Sequence, residues 1–295
     1  MSFEEAYEEF KIYASKRHKK QGFDTLIRNF NSHIFPYFVN RNISELTKID
    51  IVNWQNDILC KNFSNSFNNS LYCAFNSFLN YCIIYSYISF NPLKEVGRFK
   101  KKVEVKKYEV YTLHEFRKFR SAIDNIIYKY FFSFMFFYGT RPSETIALKF
   151  SDFNGFYVTI SHNIHRRGNR SLDTPKNQSS IRTFNIGLLT YFRILLLKRY
   201  YIKIFGYCSF DFFVFGGIKP LSTTTIDRIK HKACIKKNIH EITQHQFRHS
   251  FATRMIHKKI PIDIVSRQMG HSRVSTTLDV YLHHEKRSIW HYSLR

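Results

Sequence analysis

Apolar side chains return at three- and four-residue intervals along the first third of the chain, the spacing that gathers them on one face of a helix. Helices are predicted over Phe3 to Lys16, a stretch from about Thr25 to Phe38, Ile51 to Leu59, and Ser66 to Tyr85. In the last of these, Leu71, Phe75, Phe78, Leu79 and Cys82 share a face, which is therefore expected in a core. Asp50 and Ser64 stand where a capping or turn residue is expected near a helix start. Residues 1–95 are thus expected to form an all-helical domain.

The periodicity then lapses. Between Asn91-Pro92 and Tyr111 lies the run Gly97-Arg98-Phe99-Lys100-Lys101-Lys102, followed by Lys106-Lys107, with no sustained apolar repeat. Residues 96–110 are expected to be a basic linker, equally able to serve as a solvated connector or as a strap along a phosphate backbone. Helical spacing resumes from Thr112 through Phe136, and a short helix begins near Arg141. Gly155 to Ile160 and Ile181 to Ile186 have strand-like patterns, and Arg166-Arg167-Gly168-Asn169-Arg170 between them carries turn signals, so a small antiparallel sheet is expected. Further helices are predicted over Leu188 to Ile204, Thr223 to Lys236, Gln244 to His257, Pro261 to Gln268 and Val274 to His283. The fold class is mainly α with a small antiparallel sheet (α+β), the sheet belonging to a second domain at 111–295.

Composition narrows the function. A chain of 295 residues is near the length at which one core stops growing, consistent with two domains. With 44% apolar residues the chain has enough material for packed cores, which excludes wholesale disorder. Lys and Arg number 46 against 22 Asp and Glu, a formal charge of +24, and this favours a polyanionic partner, nucleic acid first. A membrane partner is disfavoured because no long apolar span, signal peptide or lipidation pattern is present, so a soluble, cytoplasmic protein is expected. The five cysteines are scattered, without a C-x-x-C pair, and are expected to be reduced core residues; no ligand spacing suggests a zinc site.

Three clusters could carry chemistry. In Tyr138-Gly139-Thr140-Arg141-Pro142-Ser143-Glu144, a glycine turn precedes a helix with proline in its first turn, which places Arg141 at the helix start and Glu144 three residues on, able to orient the guanidinium. Such a pair is ordinarily a surface ion pair. In His245-Gln246-Phe247-Arg248-His249, the two histidines and Arg248 fall on one helical face suited to an anion. A metal pair is disfavoured there, since Gln246 stands where a zinc hydrolase carries Glu and Arg248 would set a cation beside the ion. Finally, Met269-Gly270-His271-Ser272 leads to Ser275-Thr276-Thr277-Leu278-Asp279-Val280-Tyr281-Leu282-His283, where Tyr281 by itself reads as a core aromatic.

Taken in order, Gly-Thr-Arg-Pro-Ser-Glu, then Thr174-Pro175-Lys176 with Ser180 and Arg182, then His-x-x-Arg-His, Gly-His-Ser and Thr-Thr-x-x-x-Tyr-x-His resemble the tyrosine recombinase (phage integrase) family, directly over about Tyr111 to His284. The resemblance implies a helical core-binding (SAM-like) domain followed by a catalytic domain. It makes Arg141 and Arg248 the cations on the scissile phosphate, His245 and His271 the histidines that assist proton transfer and phosphate binding, and Lys176 the acid for the leaving 5′ oxygen. Tyr281 would be the nucleophile, forming a 3′-phosphotyrosyl intermediate, with Glu144 and His249 in support. Neither ATP, metal nor other cofactor is required by such a reaction, and no small-molecule ligand is implied. The implied partners are double-stranded DNA with recombination core sites, clamped between the domains, and three further copies in a homo-tetramer on DNA. Lys100, Lys101, Lys102, Arg166, Arg167 and Arg170 are candidate DNA contacts.

The helical start of the chain suggests a simple recombinase without an arm-binding domain, and the fourteen residues after Tyr281 a short docking tail. Integration or excision of a mobile element and resolution of dimers are the tasks in view. The competing readings are a tyrosine-type DNA topoisomerase, which shares the chemistry, and a non-enzymatic DNA-binding regulator, which would be expected to have lost Arg141, Arg248 or Tyr281.

Overall fold

Hydroxyl side chains start several helices of the first unit. The computed structural model describes residues 1–100, 109–164, 172–173, 180–275 and 277–278, and the chain divides into units Met1–Val105 and Lys106–Arg295. The first unit contains α1 (Phe3–Ser15), α2 (Lys20–His33), α3 (Phe35–Phe38), α4 (Lys48–Cys60), α5 (Asn65–Ile84) and α6 (Pro92–Val96). Ser2 and Thr47 cap α1 and α4 in reciprocal boxes with Glu5 and Asp50, and the Ser64 hydroxyl accepts the Phe67 N–H at the start of α5.

The stretch predicted as one helix to Phe38 is two. Helix α2 begins earlier, at Lys20, and the chain leaves helical geometry at Ile34 (φ −121°, ψ −58°). Pro36 is the reason, since its ring would meet the carbonyl four residues back and it has no N–H to give.

Phe3, Phe30, Phe38, Phe75 and Phe78 form an aromatic core, in which Tyr7 and Phe30 stack with ring centroids 4.3 Å apart. Trp54 is buried and donates its indole N–H to the His33 carbonyl at 2.7 Å. The core reaches into the segment read as linker: Phe99 packs 5.4 Å from Trp54, and Gln55 donates to the Gly97 carbonyl at 2.9 Å. Lys100, just beyond, is exposed.

The second unit contains α7 (Leu113–Ser121), α8 (Ile126–Tyr138), α9 (Pro142–Ala147), β1 (Phe153–Asn154), β2 (Tyr157–Ile160), β3 (Asn163–Ile164), β4 (Leu172–Asp173) and β5 (Arg182–Asn185). These are followed by α10 (Leu188–Phe205), α11 (Thr223–Lys237), α12 (Gln244–His257) and α13 (Ile262–Met269). The predicted continuous helix from Thr112 to Phe136 is interrupted after α7, because the Asn125 side chain takes the Ile127 N–H at 2.9 Å and restarts the helix as α8. Helix α8 is the central element: Phe131, Phe132, Phe134, Met135 and Phe136 are all buried, and α7, α9, α10 and α12 pack around it. Phe116 of α7 stacks on Phe136 at 3.9 Å.

Strands β1, β2 and β5 make an antiparallel sheet in that order, with Ile160 opposite Arg182; β3 and β4 form a separate ladder. Gly155, expected in a strand, instead turns β1 into β2 at φ +57°. Of the region predicted as a helix from Val274 to His283, residues 274, 275, 277 and 278 are helical and the others lie outside the described residues.

The expectation of five core cysteines is corrected. Cys82 and Cys234 are buried and Cys208 is half-buried, but Cys60 and Cys73 are exposed; all are free thiols. An apolar neighbourhood in sequence does not fix which side of a helix a residue faces. No helix among the described residues is long and apolar enough to cross a membrane.

Candidate active site

A left-handed glycine ends α8 and sets up the first cluster. Gly139 (φ +67°) returns its N–H to the Met135 carbonyl, after which Arg141 takes extended geometry as the N-cap of α9, with Pro142 in the first turn. Glu144 then does two jobs. One carboxylate oxygen accepts the Arg141 backbone N–H at 2.8 Å, and the other accepts Nη1 of the Arg141 side chain at 2.6 Å. Far from an ordinary surface pair, Glu144 is only 3% exposed. Burial would raise its carboxyl, yet the guanidiniums of Arg182, Arg141 and Arg248 outweigh burial and hold it at about 2.

Helix α12 brings the second cluster to the same place. Phe247 points into the core, while Arg248, one residue on, is buried and donates Nη1 to the Gly139 carbonyl at 2.8 Å. Its Nη2 is buried and has no acceptor among the described residues. Burial, reinforced by the cations of Arg141 and Arg182, holds this guanidinium well below its ordinary value, with Glu144 acting in the opposite direction. It remains a cation at neutral pH, as guanidinium groups in proteins do. His249 is half-buried beside it, and His245 stands exposed near the start of α12, three residues before Arg248 on the same face.

The third cluster begins where α13 ends. Gly270 (φ +69°) terminates the helix, the His271 N–H bonds back to the Ser266 carbonyl, and Arg141 Nη2 donates to the Gly270 carbonyl at 2.8 Å. The His271 ring engages the buried Thr277 hydroxyl through Nδ1 at 2.8 Å. Burial, with Arg248 and Arg141 behind it, pushes the imidazole down to about 3, so it is neutral near pH 7.

Arg141, Glu144, Arg248, His249 and His271 therefore share one electrostatic neighbourhood. A residue given no role from the sequence joins them: Arg182, at the start of β5, is paired with both oxygens of Glu144. The sequence shows it, with Ser180, as part of the ordered signature, but gives it no role, since its partner lies 38 residues earlier. Three guanidiniums around one carboxylate leave net positive charge, and the orphan donor on Arg248 marks where an anionic oxygen would be received. Among the described residues, no group of three or more His, Cys, Asp or Glu is placed to hold a metal ion. Lys176, Tyr281, Lys101, Lys102, Arg166, Arg167 and Arg170 lie outside the described residues.

Comparison with known proteins bears on the family and the fold. Residues 104–288 match the phage integrase family, and residues 2–59 match the phage integrase N-terminal SAM-like domain. The ICEBs1 integrase of Bacillus subtilis (strain 168) is 26% identical over 265 residues, covering 86% of this chain and 71% of that protein. A XerC-like tyrosine recombinase of Caldanaerobacter subterraneus is 25% identical over 272 residues, covering 82% and 68%. Among solved structures, the Tn1549 transposon integrase in complex with transposon right end DNA superposes with a TM-score of 0.74 at 20% identity over 95% of both chains. A lambda integrase dimer bound to a COC' core site gives 0.71 at 15% identity, again over 95% of both. These two likenesses establish the fold.

Proposed function

Because this chain belongs to the phage integrase family and is a site-specific tyrosine recombinase, we propose that it cuts and rejoins double-stranded DNA at recombination core sites through Tyr281. The observation that carries the reading is the buried, half-satisfied guanidinium of Arg248 beside Arg141, two cations converging where a phosphodiester's non-bridging oxygens would sit. Planar guanidinium forks match that geometry and act on the charge that grows as phosphorus becomes five-coordinate.

The Tyr281 oxygen attacks phosphorus, passing its proton to one of the site histidines, His245 or His271, and the 5′ oxygen leaves with a proton from Lys176. The product is a 3′-phosphotyrosyl bond and a free 5′ hydroxyl, whose reversed attack on another strand completes exchange. A phenol with an ordinary value of about 10 is a poor nucleophile at neutral pH, so the surrounding cations are needed to favour its phenolate. His245 and His271 assist proton transfer and phosphate binding. The Thr277 contact at His271 Nδ1 directs Nε2 to that task. Glu144 holds Arg141 in place, and His249 supports Arg248. Lys100, with Lys101, Lys102, Arg166, Arg167 and Arg170, contacts the DNA backbone.

Residues 1–95 act as the core-binding domain, into which the start of the 96–110 linker packs through Phe99, and 111–295 as the catalytic domain of an enzyme that works as a homo-tetramer on DNA, in the cytoplasm and on the nucleoid when bound. The transposon, integrative-element and phage proteins among its relatives favour integration and excision of a mobile element over dimer resolution, and they weigh against the topoisomerase reading.

The test is a nicked duplex carrying a candidate core site taken from the DNA that flanks the gene. The parent chain accumulates a covalent protein–DNA adduct, whereas Tyr281→Phe forms none and binds the same DNA within about threefold. An adduct of undiminished yield in that variant removes Tyr281 from the mechanism.

A further inference from the structure

We propose that Arg182 is the positioning residue of this site: it fixes the Arg141 guanidinium and the His271 turn relative to one another without touching DNA itself. The proposal rests on the recombinase reading above for its activity assay, but its geometry stands apart from that reading.

The Arg182 side chain is 8% exposed and fully engaged on the protein. Nε donates to the Gln268 carbonyl at 2.5 Å, Nη1 to the Ser180 carbonyl at 2.9 Å and to Glu144 Oε1 at 3.2 Å, and Nη2 to Glu144 Oε2 at 2.7 Å. A guanidinium has five N–H bonds, and these contacts occupy four of them inside the protein. Arg141 differs in both respects. Its side chain is 31% exposed, and it spends one nitrogen on Glu144 and another on the Gly270 carbonyl, leaving donors for a ligand.

Two guanidiniums therefore bracket one carboxylate, and each also holds a carbonyl of the turn that ends α13: Gln268 for Arg182, Gly270 for Arg141. His271 follows directly, so its distance from Arg141 is set by two routes, the direct bond to Gly270 and the path through Glu144 and Arg182 to Gln268. The fit is close on the other side too, since a Cβ on Gly270 would stand 2.8 Å from Arg182 Nη1. Arg182 also begins β5, so the clamp ties that strand to the end of α13. A lysine could supply the charge here but not the fork, because a single ammonium cannot reach both oxygens of Glu144 and the Gln268 carbonyl in fixed geometry.

The experiment compares the parent, Arg182→Lys and Arg182→Gln by single-turnover cleavage of the nicked duplex from pH 5 to 9, with DNA affinity measured in parallel. Arg182→Gln is expected to cleave about 10²-fold slower, the scale of loss for a misplacement of about 1 Å in a reacting assembly. Its DNA affinity stays within about threefold, and its acid limb moves to higher pH because Glu144 has lost its strongest partner. Arg182→Lys recovers only part of the rate. Both variants cleaving within threefold of the parent would overturn the proposal, as would equal losses of binding and cleavage with an unmoved pH profile.

Should Arg182→Gln fail to fold, the lysine variant decides: normal binding with slowed cleavage supports positioning, and parental cleavage refutes it. A parent that forms no adduct indicts the functional reading instead. The clamp is then read in Arg182→Lys, which keeps the charge that itself depresses the His271 imidazole: the midpoint of the His271 resonance shifts in that variant if the proposal holds and stays in place if it does not.

Discussion

Arg248 illustrates how one side chain can be costly to the fold and yet central to the proposed chemistry. Its Nη1 satisfies the Gly139 carbonyl, but Nη2 is buried with no acceptor among the described residues, and two like charges stand nearby. An unmet buried donor costs about 1–3 kcal/mol, more when charged, and a phosphate oxygen would remove that cost only in the complex. Arg248→Met is thus expected to abolish cleavage while raising the urea-unfolding free energy of the DNA-free protein by about 1 kcal/mol or more. A destabilised variant would mean that the lost hydrogen bond to Gly139 outweighs the relief of a buried charge. His271, neutral in the free protein because burial and these cations hold it at about 3, shows the same economy from the other side. Among site residues, Arg141, Glu144, Arg248 and His271 were legible in sequence because each sits in a short motif with a neighbour at helical or turn spacing. Arg182 was visible only as a member of the signature, and its proposed role was not, since it depends on a carboxylate 38 residues away and a helix end 86 residues away, contacts that no local pattern announces.

At the level of elements, the turn between α8 and α9 joins fold to site. Gly139 has φ +67°, and a Cβ there would stand 2.4 Å from the Phe251 ring on α12. Gly139→Ala is therefore expected to destabilise the chain by about 2–4 kcal/mol, summing the left-handed penalty with overpacking. The loss is read from chemical denaturation, and a change below about 1 kcal/mol would show that Phe251 moves aside freely. Most helices could be read from apolar periodicity, and α12 was predicted end to end. The misreadings share a cause: apolar spacing ran unbroken through Ile34 and past Ser121, while Pro36 and the Asn125 side chain acted on the backbone beneath it. Periodicity reports which face is buried, and it is blind to a missing N–H or a competing side-chain acceptor. The exposure of Cys60 and Cys73 belongs to the same class, being a matter of rotation about a helix axis.

For the whole molecule, a formal charge of +24 makes long-range attraction to DNA inescapable, and salt is its probe. On a duplex carrying the candidate core site, affinity is expected to fall by roughly 10³-fold or more between 50 and 200 mM salt, and Lys100→Ala to reduce the logarithmic slope by about one. A slope unchanged by that substitution would remove Lys100 from the backbone contacts. The central position of α8 has a different consequence, one of timing. Its buried face is closed by α12, whose first residue emerges from the ribosome more than a hundred positions later, and the same late contact brings Arg248 to the Gly139 carbonyl. A nascent or truncated chain that stops before Gln244 has made α8 and Arg141 but has neither the helix that covers the one nor the cation that completes the other. It therefore exposes an apolar segment that invites chaperones or proteases, and it lacks one of the two arginines on which the proposed cleavage rests.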